Sequence, residues 1–189
     1  VDPCDTGLFQ EITKTTTKKC AMNLNWGQSP SPYNDSLPIC VSTSQKDPAG
    51  CVAVAIAQIM AHHQKPTSGS YIHPVNMKLR NTTYNWSGMK SVADAKNLTN
   101  TTYRSQVANL LAEIGDKCSM SYGCDGSGSN IYYAYDAFTL MGYNINMLIG
   151  SYNFSKVKVD IDSNRPVYMR GTRTGGVGHA WVVEGYQTK

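Results

Sequence analysis

The pattern of apolar residues predicts an α+β domain, with helices gathered in the first three quarters of the chain and antiparallel strands at its end. Three observations carry that expectation. Residues 49–66, "AGCVAVAIAQIMAHHQKP", make a continuous apolar run of helix length. Residues 102–118, "TYRSQVANLLAEIGDKC", repeat Val107, Leu110, Leu111 and Ile114 at helical spacing. In the last quarter the period changes: "RPVYMRG" and "HAWVVEGY" are short, rich in Val, Tyr and Trp, and joined by the Gly-rich "TRTGGV", which reads as two paired strands. The 189 residues suit a single domain, residues 1–189, of two lobes, and a chain of that size buries roughly two thirds of its unfolded surface without a staple.

Taken in order, residues 1–48 are turn-rich and weakly periodic, and "WGQSPSPYNDSLP" marks an ordered, Pro-dense loop. Asp47-Pro48 then offers an N-cap and a first-turn proline, and the apolar helix runs to His63 before Pro66 prevents its continuation. Residues 67–102 read as loop and carry the sequons "NTT", "NWS" and "NLT", which are glycan acceptors only in a eukaryotic host. Gly115 offers an end to the second helix. "YGCDGSGSN" is a glycine-rich loop, and "IYYAYDAFTLMGY" reads as a third helix.

Composition narrows the function. Charged residues are 16% and hydrophobic ones 41%, so Ser, Thr, Asn, Gly and Tyr carry the polar surface, as in an exported globular protein found outside the cell, in the periplasm or at the cell surface. The net charge of +4 comes from scattered Lys and Arg; no basic stripe interleaved with aromatics points to nucleic acid. The most apolar stretch, residues 51–61, is broken by Gln58 and is far shorter than the ~20 residues of a membrane span. The chain opens at Val1 with no initiator Met, charged n-region or h-region, which leads us to expect a mature, processed protein.

The six cysteines, Cys4, Cys20, Cys40, Cys51, Cys118 and Cys124, lack CxxC pairs, and HExxH is absent, so no metal or other cofactor is expected. With Cys51 kept as a free thiol, the other five allow at most two disulfides and one odd thiol. Cys118 and Cys124 are the closest pair in sequence, but spacing ranks none of the possible pairings.

Cys51 stands at the front of the apolar helix. A cysteine among Ala, Val and Ile is ordinarily a small core residue, but in a first turn the free N–H groups and the positive dipole end favour the thiolate. A nucleophilic thiol also needs a base that takes its proton and returns it to the leaving amine. Of the four histidines, His62 and His63 lie about three turns along the same helix, and His73 sits beside Pro74 in a loop. His179 opens a strand directly after Gly175, Gly176 and Gly178, where small neighbours leave its ring accessible.

"WGQSPSPYN", "GCVAVAIAQIMAHHQKP", "YGCDGSGS", "RPVYMRG" and "GHAWVVEGY" together resemble the streptopain family of papain-like cysteine peptidases, over about residues 26–186. The resemblance implies a papain-like fold, with the Cys on the central helix of a helical N-terminal lobe and the His on an antiparallel β C-terminal lobe. It implies Cys51 as nucleophile, His179 as its imidazole partner, and Gln28 as the side-chain donor that completes the oxyanion hole with the Cys51 N–H. It further implies that the Gly178 carbonyl receives a substrate N–H, and that the loop of Gly126, Ser127, Gly128 and Ser129 borders the cleft. Two features depart from the family pattern. Glu184 stands where the family has Asp before Gly-Tyr, a change we read as structural. The family's Asn-Trp segment downstream of the His has no counterpart before Lys189, which raises the expectation of a second processed chain of the same precursor docked beside His179.

The expected function is that of a secreted cysteine endopeptidase acting on protein or peptide substrates through a Cys51 thioester. Two rivals stand beside it: a transglutaminase-like acyl-transfer enzyme, and a non-catalytic binding module with an inert Cys51. Casein hydrolysis against amine incorporation separates the first, and thiol labelling at pH 6 the second, because an ordinary thiol of pKa ~8.5 reacts slowly there.

Overall fold

The long apolar run folds as the central helix. The structure is a computed structural model that describes residues 15–145, 151–172 and 178–188. In it α1 spans Cys51–His63 with nine of its 13 residues buried, the all-round apolar pattern of a helix enclosed by other elements. It ends as the sequence predicts. Gln64 adopts a left-handed conformation (φ 55°) and its N–H donates to the Met60 carbonyl, with Pro66 just beyond.

Its start differs from the expectation. Asp47 does not cap and Pro48 is not in the first turn; the helix begins at Cys51, behind Gly50. The reason lies in the backbone. The Asp47 N–H donates to the Pro38 carbonyl (2.9 Å) and the Ala49 N–H to the Gln28 carbonyl (3.0 Å), tying this segment to its neighbouring loops. Gly50, at φ 87° and ψ 141°, then turns the chain into the helix in a conformation that side-chain-bearing residues rarely adopt.

Residues 67–102 are structured rather than loop-like. Strands β2 (Ser68–Ile72) and β3 (Leu79–Thr83) form an antiparallel hairpin with Tyr71 opposite Arg80. The short helix α2 (Trp86–Met89) follows, capped by the Asn85 side chain, and then a single 3-10 turn at Ala95–Asn97. Helix α3 (Thr101–Lys117) is capped by Asn100, which accepts from the Thr102 and Tyr103 N–H groups. It runs through Gly115 instead of ending there. At that glycine the Tyr122 hydroxyl lies where a Cβ would be, so the missing side chain serves a close approach and not a helix stop.

Helix α4 (Ile131–Leu140) is capped by Asn130, and Gly142 (φ 86°) follows it. Helix α5 (Phe154–Asp162) is an element the sequence reading lacks; it buries only Val157 and Ile161. The two expected strands are β4 (Val167–Thr172) and β5 (Gly178–Val183), antiparallel with Gly171 opposite His179. Most of their Gly-rich connection, residues 173–177, lies outside the described residues, as does Cys4. A further strand β6 (Gly185–Thr188) pairs with β1 (Thr16–Lys19).

The main core surrounds α1 and joins it to α3, α4 and the loop of Trp26 and Tyr33. A smaller cluster of Cys20, Met22, Val157 and Ile161 packs against Val167, Val182 and Val183. Beneath the hairpin, the buried Glu113 carboxylate accepts from the Ser70 N–H (3.1 Å) and the Tyr84 hydroxyl, with the Thr82 hydroxyl at 3.0 Å. Burial, reinforced by the Glu113 charge, pushes the Tyr84 hydroxyl far up, so it stays protonated as the donor. Among the described residues one disulfide forms, Cys40–Cys124, while Cys20, Cys51 and Cys118 are free thiols. Cys118, the nearer neighbour in sequence, is buried in the core.

Candidate active site

Cys51, the first residue of α1, is only partly buried. No side chain caps the helix N-terminus, which leaves the positive end of the helix beside the thiol. One turn and two turns further on, Val54, Ala55 and Gln58 continue the same face, and with Cys51 they floor an open cleft of about 390 Å³. Positions i, i+3, i+4 and i+7 share a helix face for geometric reasons, so the floor follows from the sequence of α1 alone.

One wall is the chain before α1. Met22, Leu24, Trp26, Gly27 and Gln28 line it, and two contacts hold it to the helix and to the segment leading into it. The Gln28 carbonyl accepts from the Ala49 N–H (3.0 Å), and the Trp26 N–H donates to Gln58 Oε1 (3.3 Å). Behind it, the Tyr33 hydroxyl donates to Asp94 (2.5 Å) and accepts from the Ala95 N–H (2.9 Å), which fixes the loop from below.

The other wall is β5. His179, Ala180, Trp181, Val182 and Glu184 border the cleft. Ala180 is buried, while His179 and Trp181 lie with ring planes 20° apart and centroids 6.2 Å apart. Gly171, opposite His179 in the ladder, leaves room for the Trp181 ring, which a Cβ there would approach to 3.0 Å. Glu184 forms an ion pair with Lys19 (2.8 Å), and its carbonyl accepts from the Cys20 N–H (2.6 Å).

Gln28, Cys51 and His179 therefore line one cleft, although they come from three distant parts of the chain. The remaining sequence-predicted site residues do not line it. Ser127 is buried, and its carbonyl lies 2.8 Å from where a Gly50 Cβ would be. The loop of Gly126, Ser127 and Gly128 thus abuts the residue before Cys51, held by the paired Ser121 and Gly128 backbones. Gly178 begins β5 next to His179 and pairs with Thr172.

The other histidines are engaged elsewhere. The His62 Nε2–H donates to the Asn164 carbonyl (2.9 Å). His63 packs edge-on to Tyr143 and borders a separate cavity of about 670 Å³ with Ile59, Phe138 and Tyr168; burial lowers its pKa. His73 is buried and its Nδ1 accepts from the Val75 N–H (3.2 Å).

Sequence reasoning leaves Gln58 without a role, and passes over Trp181 and Tyr168. The Tyr168 hydroxyl is buried with no hydrogen-bond partner among the described residues, and burial, with the Cys51 charge adding, pushes its pKa well up. Trp181 was legible, because residues i and i+2 of a strand share a face. Nothing in the local sequence announces Tyr168.

The profile of the Peptidase C10 family matches residues 26–189. The chain belongs to the peptidase C10 family. It is 26% identical to streptopain of Streptococcus pyogenes over 207 aligned positions, which cover 93% of this chain and 50% of streptopain. It is 28% identical over 181 positions to the thiol protease/hemagglutinin PrtT of Porphyromonas gingivalis, covering 82% of this chain and 20% of that protein. The chain thus spans about half the length of the streptopain it matches. Its fold matches the active wild-type interpain A cysteine protease of Prevotella intermedia with a TM-score of 0.72 at 23% identity, over 90% of this chain and 77% of that one. A fragment of prointerpain A from the same organism gives 0.66 at 22% identity, over 90% and 58%. The papain-like α+β expectation is borne out by this likeness.

Proposed function

We propose that this C10-family chain is a secreted cysteine endopeptidase that hydrolyses peptide bonds in proteins through a thioester on Cys51. The observation that carries the reading is the single cleft shared by Gln28, Cys51 and His179. A thiol at an uncapped helix start, an imidazole and a neutral amide donor are the three parts that acyl transfer needs.

In the first half-reaction His179 accepts the Cys51 proton, and Sγ attacks the scissile carbonyl carbon. The carbonyl π electrons move to oxygen, where the Cys51 N–H and the Gln28 side-chain amide hold the new negative charge. The C–N bond then breaks as the His179 imidazolium protonates the departing amine, leaving a thioester. In the second half, His179 takes a proton from water, the hydroxide adds to the thioester carbonyl, and Sγ leaves with the imidazolium proton as the carboxylic acid is released. The Gly178 carbonyl, beside His179, would receive the N–H of the substrate residue on the acyl side, while the loop of Gly126, Ser127 and Gly128 supports the cleft from behind Gly50.

The Cys40–Cys124 disulfide supports an oxidising compartment outside the cytoplasm. The likeness to prointerpain A supports release from a precursor. No helix among the described residues is long and apolar enough to cross a membrane.

Casein hydrolysis tests the proposal. Wild type should cleave it, and Cys51→Ala and His179→Ala should each reduce kcat by at least ~10³ while remaining folded. Incorporation of a primary amine into casein without cleavage would replace hydrolysis by another acyl transfer. An undiminished rate in Cys51→Ala would end the thioester mechanism.

A further inference from the structure

Gln58 is the polar break in an otherwise apolar helix segment, residues 51–61, and the structure gives the break a purpose. Its side chain lies on the Cys51 face of α1, on the cleft floor, and is only partly buried. Its Oε1 accepts from the Trp26 N–H (3.3 Å), a contact across 32 residues of sequence. Trp26 is itself buried and stands two residues before Gln28.

The loop of Trp26, Gly27 and Gln28 is tied by two described hydrogen bonds, one to α1 and one to the segment that leads into it. The Gln28 carbonyl is held by the Ala49 N–H at the head of the helix, and the Trp26 N–H by Gln58 two turns below Cys51. The two anchors fix the loop at Trp26 and at Gln28 itself and so set how it runs past the Cys51 end of α1. An apolar side chain at position 58 would leave the Trp26 N–H without its acceptor, and a buried backbone donor so stranded pulls the chain toward another partner. An oxyanion donor must lie within a few tenths of an ångström of its productive place.

We infer that Gln58 is a positioning residue for the oxyanion hole: it holds the Trp26 backbone so that the Gln28 amide faces the oxygen of the carbonyl that Cys51 attacks. The inference rests on the cysteine-peptidase reading. Gln58 acts through Gln28, so it lowers the barrier of the chemical step and contributes little to substrate affinity.

A double-mutant cycle tests it on the whole chain, with casein-derived peptide kinetics and the rate of Cys51 alkylation by iodoacetamide. Gln58→Met is close in volume and lacks the acceptor. It should lower kcat by roughly 10- to 100-fold, the cost of a small misplacement, and leave KM within about twofold. The alkylation rate should stay within about twofold, because displacement on iodoacetamide forms no oxyanion. In a Gln28→Ala background, itself slowed by roughly 10² to 10³, the same substitution should have almost no further effect. If Gln58→Met does not fold, Gln58→Glu keeps an acceptor for the Trp26 N–H and should retain kcat within about threefold at its pH plateau. Equal losses in both backgrounds, or no loss in either while Gln28→Ala is slow, would overturn the positioning role alone. A full kcat in Gln28→Ala would overturn the oxyanion assignment, and the role of Gln58 with it.

Discussion

Gly50→Ala should damage this protein far more than the addition of one methyl group suggests. Two penalties arise. The first is conformational: at φ 87° and ψ 141° a residue with a Cβ is strained by about 1–3 kcal/mol. The second is steric. A Cβ at Gly50 would lie 2.8 Å from the Ser127 carbonyl oxygen and 3.0 Å from the Met120 sulfur. Methionine can yield, but the Ser127 backbone cannot easily do so, because its loop is pinned by the Ser121–Gly128 backbone pair and the Cys40–Cys124 disulfide. Overpacking of this kind costs about 1–3 kcal/mol, so the total comes to roughly 2–6 kcal/mol.

Urea unfolding measures that loss, and Gly142→Ala separates its parts. Gly142 has nearly the same φ, 86°, but nothing lies within 4 Å of its would-be Cβ. Gly142→Ala should therefore show only the conformational part, about 1–3 kcal/mol. Gly50→Ala should also slow Cys51 alkylation, since the strain is relieved next to the nucleophile. Equal losses in the two variants, or less than about 1 kcal/mol at Gly50, would refute the reasoning.

Removing the disulfide as Cys40→Ser with Cys124→Ser opens a link between residues 84 apart, which chain entropy values at roughly 4–5 kcal/mol; an unchanged urea midpoint would contradict this. Glu113→Ala strands the Ser70 N–H and the Tyr84 hydroxyl, and should cost roughly 3–5 kcal/mol in the same assay. His73 has a pKa held below its ordinary 6.5 by burial, with Arg80 and Lys46 adding to the effect. The unfolded chain then binds the proton more readily, so the stability linked to His73 is complete above that ordinary value and is lost as pH falls toward the folded one. Melting temperatures from pH 7 to pH 5 should fall less steeply in His73→Asn, and identical slopes would contradict the assignment.

What the sequence conveyed depended on whether an element owns an apolar face. Helices α1, α3 and α4 and strands β4 and β5 carry enough Val, Ile, Leu or aromatic residues to state their period. The four residues of β1, "TTKK", are all exposed, so nothing in them distinguishes strand from loop; β6 supplies the reason for their conformation. The hairpin β2–β3 buries only Tyr71 and Thr82 among its strand residues, too few to show an alternation. Helix α5 presents just two buried positions. The start of α1 was misplaced because Asp47 and Pro48 have the chemistry of a cap, whereas backbone ties to Pro38 and Gln28, which are long-range, decide the boundary.

The candidate site was legible for a different cause. Cys51, His179 and Gln28 are far apart in sequence, and only their embedding in recognisable motifs joined them. Gln58 stood out locally as a polar break, but its partner is a backbone N–H 32 residues away, and no side-chain pattern reports a backbone partner. The loop of Gly126, Ser127 and Gly128 was expected beside the cleft, and its packing on Gly50 is a contact visible only once the chain is folded.

The most direct test of the account is covalent labelling with an epoxide-type cysteine protease inhibitor, followed by peptide mass mapping and residual caseinolysis on the same samples. Cys118 is buried and its thiol is pushed up to about 12, and Cys20 is buried with its pKa raised; neither should compete. The account requires one adduct per chain, on Cys51, with activity lost in proportion to labelling, and a much slower reaction in His179→Ala. Adducts spread over several cysteines, or a fully labelled Cys51 that still cleaves casein, would contradict it.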